Sequence, residues 1–183
     1  EIAEQLGFCN AWKHDSQDIC FVPNGDYVKF MEQYTGKQYP AGAFLDLEGQ
    51  TVGRHCGAVR YTLGQRKGLG LAMGEPVYVC GKNMAANTVT VGPENALYSS
   101  MLLAEDMNWI SIPQLKQPMR VKAKTRYRQA EQWAAVYPEQ HGRVRLEFDV
   151  PQRAVTVGQA VVLYDGDVVV GGGTICQAPP TKR

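Results

Sequence analysis

The spacing of apolar residues divides the chain into a short helical part and a long β part. Ile2, Ala3 and Leu6 share one helical face and Gly7 suits a left-handed cap, so residues 1–7 read as the end of a helix whose beginning is expected upstream. The polar run 12–18 leads into Ile19-Cys20-Phe21-Val22, a short apolar stretch that predicts a buried strand ended by Pro23-Asn24-Gly25. Asn24 can cap a helix over 26–34, in which Tyr27, Phe30, Met31 and Tyr34 repeat at helical spacing and Gly36 is the stop.

Beyond Gly36 the period shortens towards two. Residues 43–52 predict a hairpin turning near Glu48-Gly49, and 76–80 and 88–91 predict a pair of strands across a turn-rich connector. Residues 53–74 are rich in glycine. A linker-like Gly-Pro-Glu-Asn stretch at 92–97 marks a domain boundary. After it, strands are expected at 102–110, 119–128, 132–137, 143–148, 154–157, 160–164, 167–170 and 174–177, with Asp165-Gly166 as a tight hairpin turn. Many short strands at this spacing favour a small barrel or sandwich. The fold class is therefore mainly β, with a small central α+β domain before the boundary and a barrel or sandwich after it.

Composition narrows the function classes. The 183 residues are 44% hydrophobic and 20% charged, as in globular proteins, and no apolar run is long enough for a membrane span. The net charge of +1 conceals an asymmetry, −4 over residues 1–115 and +5 over 116–183. Five cysteines (Cys9, Cys20, Cys56, Cys80, Cys176) at irregular spacings, with no CxxC, argue against a zinc site and for a reducing, cytoplasmic setting. No metal ligand set is expected.

Two patterns carry candidate chemistry. Lys or Arg occupies every even position from Arg120 through Lys122, Lys124 and Arg126 to Arg128. A strand would place all five on one face about 6.6 Å apart, near the spacing of successive phosphates, with Val121, Ala123, Thr125 and Tyr127 facing the core. The same pattern also suits a solvated face whose cations pair with Glu131, Glu147 or Asp149. Cys20 sits in an apolar run, the setting of inert core cysteines, yet Ser16-Gln17-Asp18 precede it and Lys13 and His14 are near enough in sequence to stabilise a thiolate. The loop 68–74 is not a dinucleotide fingerprint, and tight turns explain its glycines better than a phosphate cradle. His55-Cys56 lacks the partners of a metal site or a hydrolase triad.

Three motifs taken in order resemble one family. Lys13-His14-Asp15-Ser16-Gln17-Asp18-Ile19-Cys20-Phe21, then Gly53-Arg54-His55-Cys56-Gly57, then Tyr61-Thr62-Leu63-Gly64-Gln65-Arg66-Lys67-Gly68-Leu69-Gly70 are similar to the tRNA-specific 2-thiouridylases, as is the terminal Val170–Ile175 run. The resemblance covers nearly the whole chain. It implies an enzyme that 2-thiolates the wobble uridine of lysine, glutamate and glutamine tRNAs, using ATP and Mg2+ bound in an N-terminal ATP-pyrophosphatase domain. The SGGxDS loop of that domain does not occur here, so no cofactor is expected on these residues. The implied division is 1–22 as the tail of the adenylating domain, 23–92 as the central domain and 97–178 as a C-terminal, tRNA-binding β-barrel. By resemblance Cys20 carries a persulfide, is loaded by a sulfur-carrier protein or cysteine desulfurase, and later forms a disulfide with a second cysteine. Arg126, Tyr127 and Gln159 match tRNA contacts, and Lys122, Lys124 and Arg128 join them through the basic pattern. For Tyr127 the resemblance outweighs the core position that alternation assigns. Cys56 falls where the family pattern requires no cysteine, and the role of the Gly64–Gly70 loop is unassigned, with packing against tRNA and packing against the N-terminal domain both open. The alternatives are a non-catalytic β-barrel RNA-binding module and, more remotely, a cysteine-dependent hydrolase.

Overall fold

The computed structural model describes residues 2–8, 22 and 26–179. Cys20, the polar run before it and the expected Asn24 cap lie outside the described residues. The chain forms two compact units, Glu1–Pro40 and Ala41–Arg183.

In the first unit, helix α1 (Ile2–Gln5) ends at Gly7, whose φ of 69° is the left-handed cap expected there. Helix α2 (Tyr27–Thr35) starts at Asp26, whose carboxylate accepts the Lys29 N–H at 3.0 Å. Asp26 is thus the cap observed: its side chain meets an amide of the first turn that has no helical partner. Gly36 closes the helix at φ 67° and donates its N–H to Glu32 O at 2.9 Å. The buried residue of α2 is Val28, not the expected aromatic face; Tyr34 is 81% exposed and stacks on Phe30 with centroids 6.0 Å apart.

The second unit opens with a four-stranded sheet in the order β2-β1-β4-β3, made of β1 (Gly42–Leu45), β2 (Thr51–His55), β3 (Tyr78–Asn83) and β4 (Thr88–Gly92). β1–β2 and β3–β4 are the two expected antiparallel pairs, and β1 joins β4 in parallel. Phe44, Val79, Val89 and Val91 form its core together with Ala58, Tyr61 and Leu69 from the glycine-rich segment.

Six strands then close a barrel in the order β10-β5-β8-β7-β6-β9. They are β5 (Tyr98–Trp109), β6 (Met119–Lys124), β7 (Gln132–Pro138), β8 (Val144–Arg153), β9 (Ala160–Asp165) and β10 (Val168–Gln177). Period-two burial runs along them. Val121 and Ala123 point inward while Arg120, Lys122 and Lys124 face outward. Ala104, Ala123 and Ala134 sit beside Leu102, Leu146 and Leu163, the small and large mixture a narrow barrel needs.

Several expected strands are redrawn. The expected break at Gly171-Gly172-Gly173 is absent, and β10 runs through it. A Cβ on Gly172 would lie 2.8 Å from Val161 O, and one on Gly171 2.6 Å from Asn108 O. These glycines are where the neighbouring backbones press against β10 as the barrel closes. Residues 154–157 form a turn, with Ala154 at φ 52° held by its N–H donating to Leu97 O at 2.8 Å. The last hairpin turns at Gly166-Asp167, one residue beyond the expected pair, with Val168 opposite Asp165.

Candidate nucleic-acid interface

β6 ends at Lys124, so the expected strand 119–128 is four residues too long. Thr125 causes the break. Its side chain is 1% exposed, and its hydroxyl donates to Gln129 Oε1 at 2.9 Å while the Gln129 N–H donates to Arg126 O at 3.2 Å. These bonds fold 125–129 into a turn. Gln129 Nε2 donates in turn to Gln152 Oε1, and Gln152 Nε2 donates to Val150 O. Thr125, Gln129 and Gln152 therefore form a directional chain that ties the turn to β8, and each buried polar group has a partner.

The turn lifts Arg126, Tyr127 and Arg128 out of the sheet. The five cations therefore do not share one strand face. Tyr127, which alternation assigns to the core, is 96% exposed. Alternation ends where the ladder ends, so the side-chain directions beyond Lys124 follow the turn.

Arg126, Tyr127, Lys124 and Gln159 come together along one groove of about 600 Å³, with Tyr164, Thr156 and Thr62 completing its walls. Arg126 Nη2 donates to Ala154 O at 2.6 Å, which steadies the guanidinium at the groove edge. Lys124 Nζ lies 5.5 Å over the Tyr164 ring. Gln159 is exposed on a fixed backbone: its N–H donates to Thr156 O at 3.2 Å and its carbonyl accepts the Ile175 N–H at 2.8 Å. The groove thus presents cations, an exposed aromatic ring and an amide, the set that holds phosphates, stacks on bases and reads base edges. Tyr164, Thr156 and Thr62 escaped the sequence reading because only tertiary folding brings them here; the polar residue Thr125 at an inward position was the one local sign of a break.

Lys122 and Arg128 do not line this groove. Lys122 Nζ is 3.8 Å from Glu131 Oε2, Lys124 Nζ is 3.5 Å from Glu131 Oε1, and Arg120 pairs with Asp149. The strand cations are thus neutralised in place by two of the three acids expected as partners. Arg128 forms no ion pair among the described residues.

The Tyr61–Gly70 loop folds onto β3. Gly64 N–H donates to Val79 O at 2.8 Å, and Val79 N–H donates to Gln65 O at 2.9 Å. Gly64 has φ 82°, and a Cβ there would lie 3.2 Å from Ala154 Cβ, so the loop abuts the barrel turn that holds Arg126. Arg153 ties the same region together through Glu94 at 3.2 Å and the Tyr78 ring at 5.5 Å.

The remaining chemical candidates are structural in character. His55 is 2% exposed, packs against Phe44 and Tyr61 with centroids 5.2 and 5.5 Å away, and accepts the Gly57 N–H on Nδ1 at 3.0 Å. Burial pushes its imidazole below the usual value. A ring so enclosed is not placed to serve Cys56 as a base towards an outside substrate. Cys56, Cys80 and Cys176 are free thiols, and burial raises the latter two, which disfavours their thiolates. Among the described residues no His, Cys, Asp and Glu group could hold a metal ion, and no helix is long and apolar enough to cross a membrane.

Comparisons with known proteins bear on the family of the chain. A family model described as the tRNA methyl transferase PRC-barrel domain matches residues 28–93, and one described as the aminomethyltransferase beta-barrel domain matches residues 99–175. The chain is 54% identical over 173 residues to the tRNA-specific 2-thiouridylase MnmA of Acetivibrio thermocellus, covering 94% of this chain and 48% of that protein. It is 50% identical over 177 residues to the MnmA of Heliobacterium modesticaldum, covering 96% of this chain and 46% of that protein. It is 43% identical over 175 residues to the MnmA of Clostridioides difficile, with shares of 96% and 48%. The chain therefore spans about half the length of the curated relatives it matches. The domain models describe barrels under the names of other transferases, whereas the relatives matched along the chain carry the thiouridylase name. The match along nearly all of its residues shows that the chain belongs to the tRNA-specific 2-thiouridylase family.

Proposed function

We propose that this chain supplies the central and barrel parts of an enzyme that 2-thiolates the wobble uridine of tRNA. The division into 1–22, 23–92 and 97–178 belongs to this proposal. The observation that carries it is the groove in which Arg126 and Tyr127, on a pinned turn, meet the sequence-distant Gln159. The relatives' names support the same reading.

Cys20 carries the sulfur as a persulfide received from a sulfur-carrier protein or a cysteine desulfurase. The uridine C2 oxygen is first adenylated by ATP, with pyrophosphate leaving; no residue of this chain is assigned to hold ATP, or the Mg2+ that would neutralise its phosphates. The terminal sulfur of the persulfide then attacks C2 and AMP leaves with the oxygen. A second cysteine thiolate attacks the Cys20 sulfur, which leaves the 2-thio group on the base and a disulfide on the protein. A small or protein thiol reduces that disulfide for the next turnover. The residues of the groove hold the tRNA; the setting is the cytoplasm and the substrates are lysine, glutamate and glutamine tRNAs.

A non-catalytic RNA-binding module is the second reading, because the described residues that line the groove include no cysteine. Sulfur loading separates the two. The chain is incubated with a cysteine desulfurase and its carrier, and its peptides are mapped by mass. A gain of one sulfur on Cys20, and not on Cys9, Cys56, Cys80 or Cys176, supports the enzyme. Loading elsewhere, or nowhere, in a chain that still binds tRNA supports the module.

A further inference from the structure

Besides Arg126 and Arg128, the described residues leave a second group of cations without ion pairs, away from β6. Asp149 and Glu131 neutralise the outward cations of β6. Residues 49–74 show the opposite balance: Arg54, Arg60, Arg66 and Lys67 stand there with no Asp or Glu between Glu48 and Glu75. All four are exposed, and none forms an ion pair among the described residues. Such a segment projects a positive potential that falls off over about 8–10 Å in ordinary salt.

Arg66 and Lys67 stand on a turn pinned at both ends. Thr62 N–H donates to Gln65 Oε1 at 3.0 Å, and Gln65 Nε2 donates to Lys67 O at 2.9 Å. The backbone of Gly64 and Gln65 is bonded to Val79 in β3, and Leu69 is buried behind the turn. Cations on a fixed backbone lose little freedom on meeting a fixed partner. Thr62, at the start of the turn, is also a wall of the groove that holds Arg126, Tyr127 and Gln159. The turn that carries the two cations therefore begins at the groove wall.

We propose that Arg66 and Lys67 form a second phosphate-binding station, over which the backbone of the RNA seated in the groove passes. The inference rests on the RNA-binding reading of the groove and extends the contact surface from the barrel to the Tyr61–Gly70 turn. An RNA backbone fits better than an acidic protein. The turn starts at the wall of a groove whose 96% exposed tyrosine and adjacent amide suit bases, and two adjacent cations that form no ion pair among the described residues suit a run of phosphates.

The test measures the 183-residue chain binding an unmodified glutamate tRNA transcript across a range of salt. The variants are Arg66→Ala with Lys67→Ala, and Tyr127→Ala. The double variant should weaken binding about tenfold at low salt and flatten the log–log salt slope by about two, one per cation removed. Its melting temperature should match the parent, because both side chains are exposed. A loss confined to Tyr127→Ala, with the double variant unchanged in affinity and slope, overturns the second station and leaves the groove. A loss confined to the double variant supports the station and removes the groove ring from the interface. Binding unaffected by all these changes overturns both readings, and an acidic protein then becomes the partner to test at the turn.

Discussion

The Thr125 hydroxyl donates to Gln129 Oε1 across 2.9 Å, and this bond closes the turn that carries Arg126 and Tyr127. The Gln129 amide passes the chain on to Gln152, itself only 3% exposed. Cutting the chain at Gln152 should act at a distance. Gln152→Leu leaves the Gln129 amide without its acceptor in a partly buried place, a loss of about 1–3 kcal/mol. Calorimetry should show a lower melting temperature, and tRNA affinity should fall several-fold although Gln152 does not line the groove. A variant that melts earlier and still binds as the parent does would show that the chain serves stability alone.

Tyr127 tests the surface role directly. Its ring is 96% exposed, so Tyr127→Ala removes almost no packing and should leave the melting temperature unchanged. A base stacked on the ring contributes about 1–3 kcal/mol, so tRNA affinity should fall roughly 5- to 150-fold. Tyr127→Phe, which keeps the π-face, should retain most of it. Equal losses for the two variants would assign the effect to the hydroxyl and remove stacking from the account.

Local pattern foretold the fold where side chains alternate and missed it where distant backbone decides. Val121 and Ala123 against Lys122 and Lys124 make β6 readable from periodicity alone. Its end is not, because Thr125 leaves the ladder to bond Gln129 within a turn, and a β-branched residue looks like one more strand position. Gly171–Gly173 read as an interruption because a sequence does not display the Asn108 and Val161 carbonyls that need the space. Asp26 caps α2 by reaching the Lys29 N–H, a contact that residue type and spacing do not display. At the groove, Arg126, Tyr127 and Gln159 were named from motif likeness. Thr62 and Tyr164 were not, since they come from segments that meet only through the Gly64–Ala154 contact and the β6–β9 ladder.

His55 gives the second unit an acid-sensitive point. Burial holds its folded-state pKa below the ordinary 6.5, with the Asn87 and Ala43 backbone pulling weakly the other way. The unfolded chain therefore takes the proton first as pH falls. The stabilising contribution is complete above about 6.5 and declines as pH drops through that value towards the folded-state pKa. The slope reaches at most about 1.4 kcal/mol per pH unit. Melting curves between pH 8 and pH 5.5 should show this decline in the parent and a flatter dependence in His55→Phe. Parallel curves for the two proteins would mean that other groups set the acid response.

Glu131 decides whether the cations of β6 belong to the RNA surface at all. Its carboxylate sits 3.8 Å from Lys122 Nζ and 3.5 Å from Lys124 Nζ, and its side chain is 30% exposed. Partly exposed pairs of this kind add only about 0–1 kcal/mol to stability, so Glu131→Gln should scarcely move the melting temperature. Its effect on binding should be larger and opposite in sign to that of most charge changes. Removing the acid frees two lysines beside the groove and takes away a charge that repels phosphate. The tRNA affinity should rise about threefold at low salt, the scale of one screened surface charge, and the salt slope should steepen by up to two as the lysines take phosphates. Asp149→Asn, which frees Arg120 at the opposite end of the strand from Lys124, is the matched control and should do less. If Glu131→Gln leaves both affinity and slope at the parent values, Lys122 and Lys124 are a solvated, self-paired face, and the RNA contacts narrow to Arg126, Tyr127, Gln159 and the Arg66-Lys67 turn.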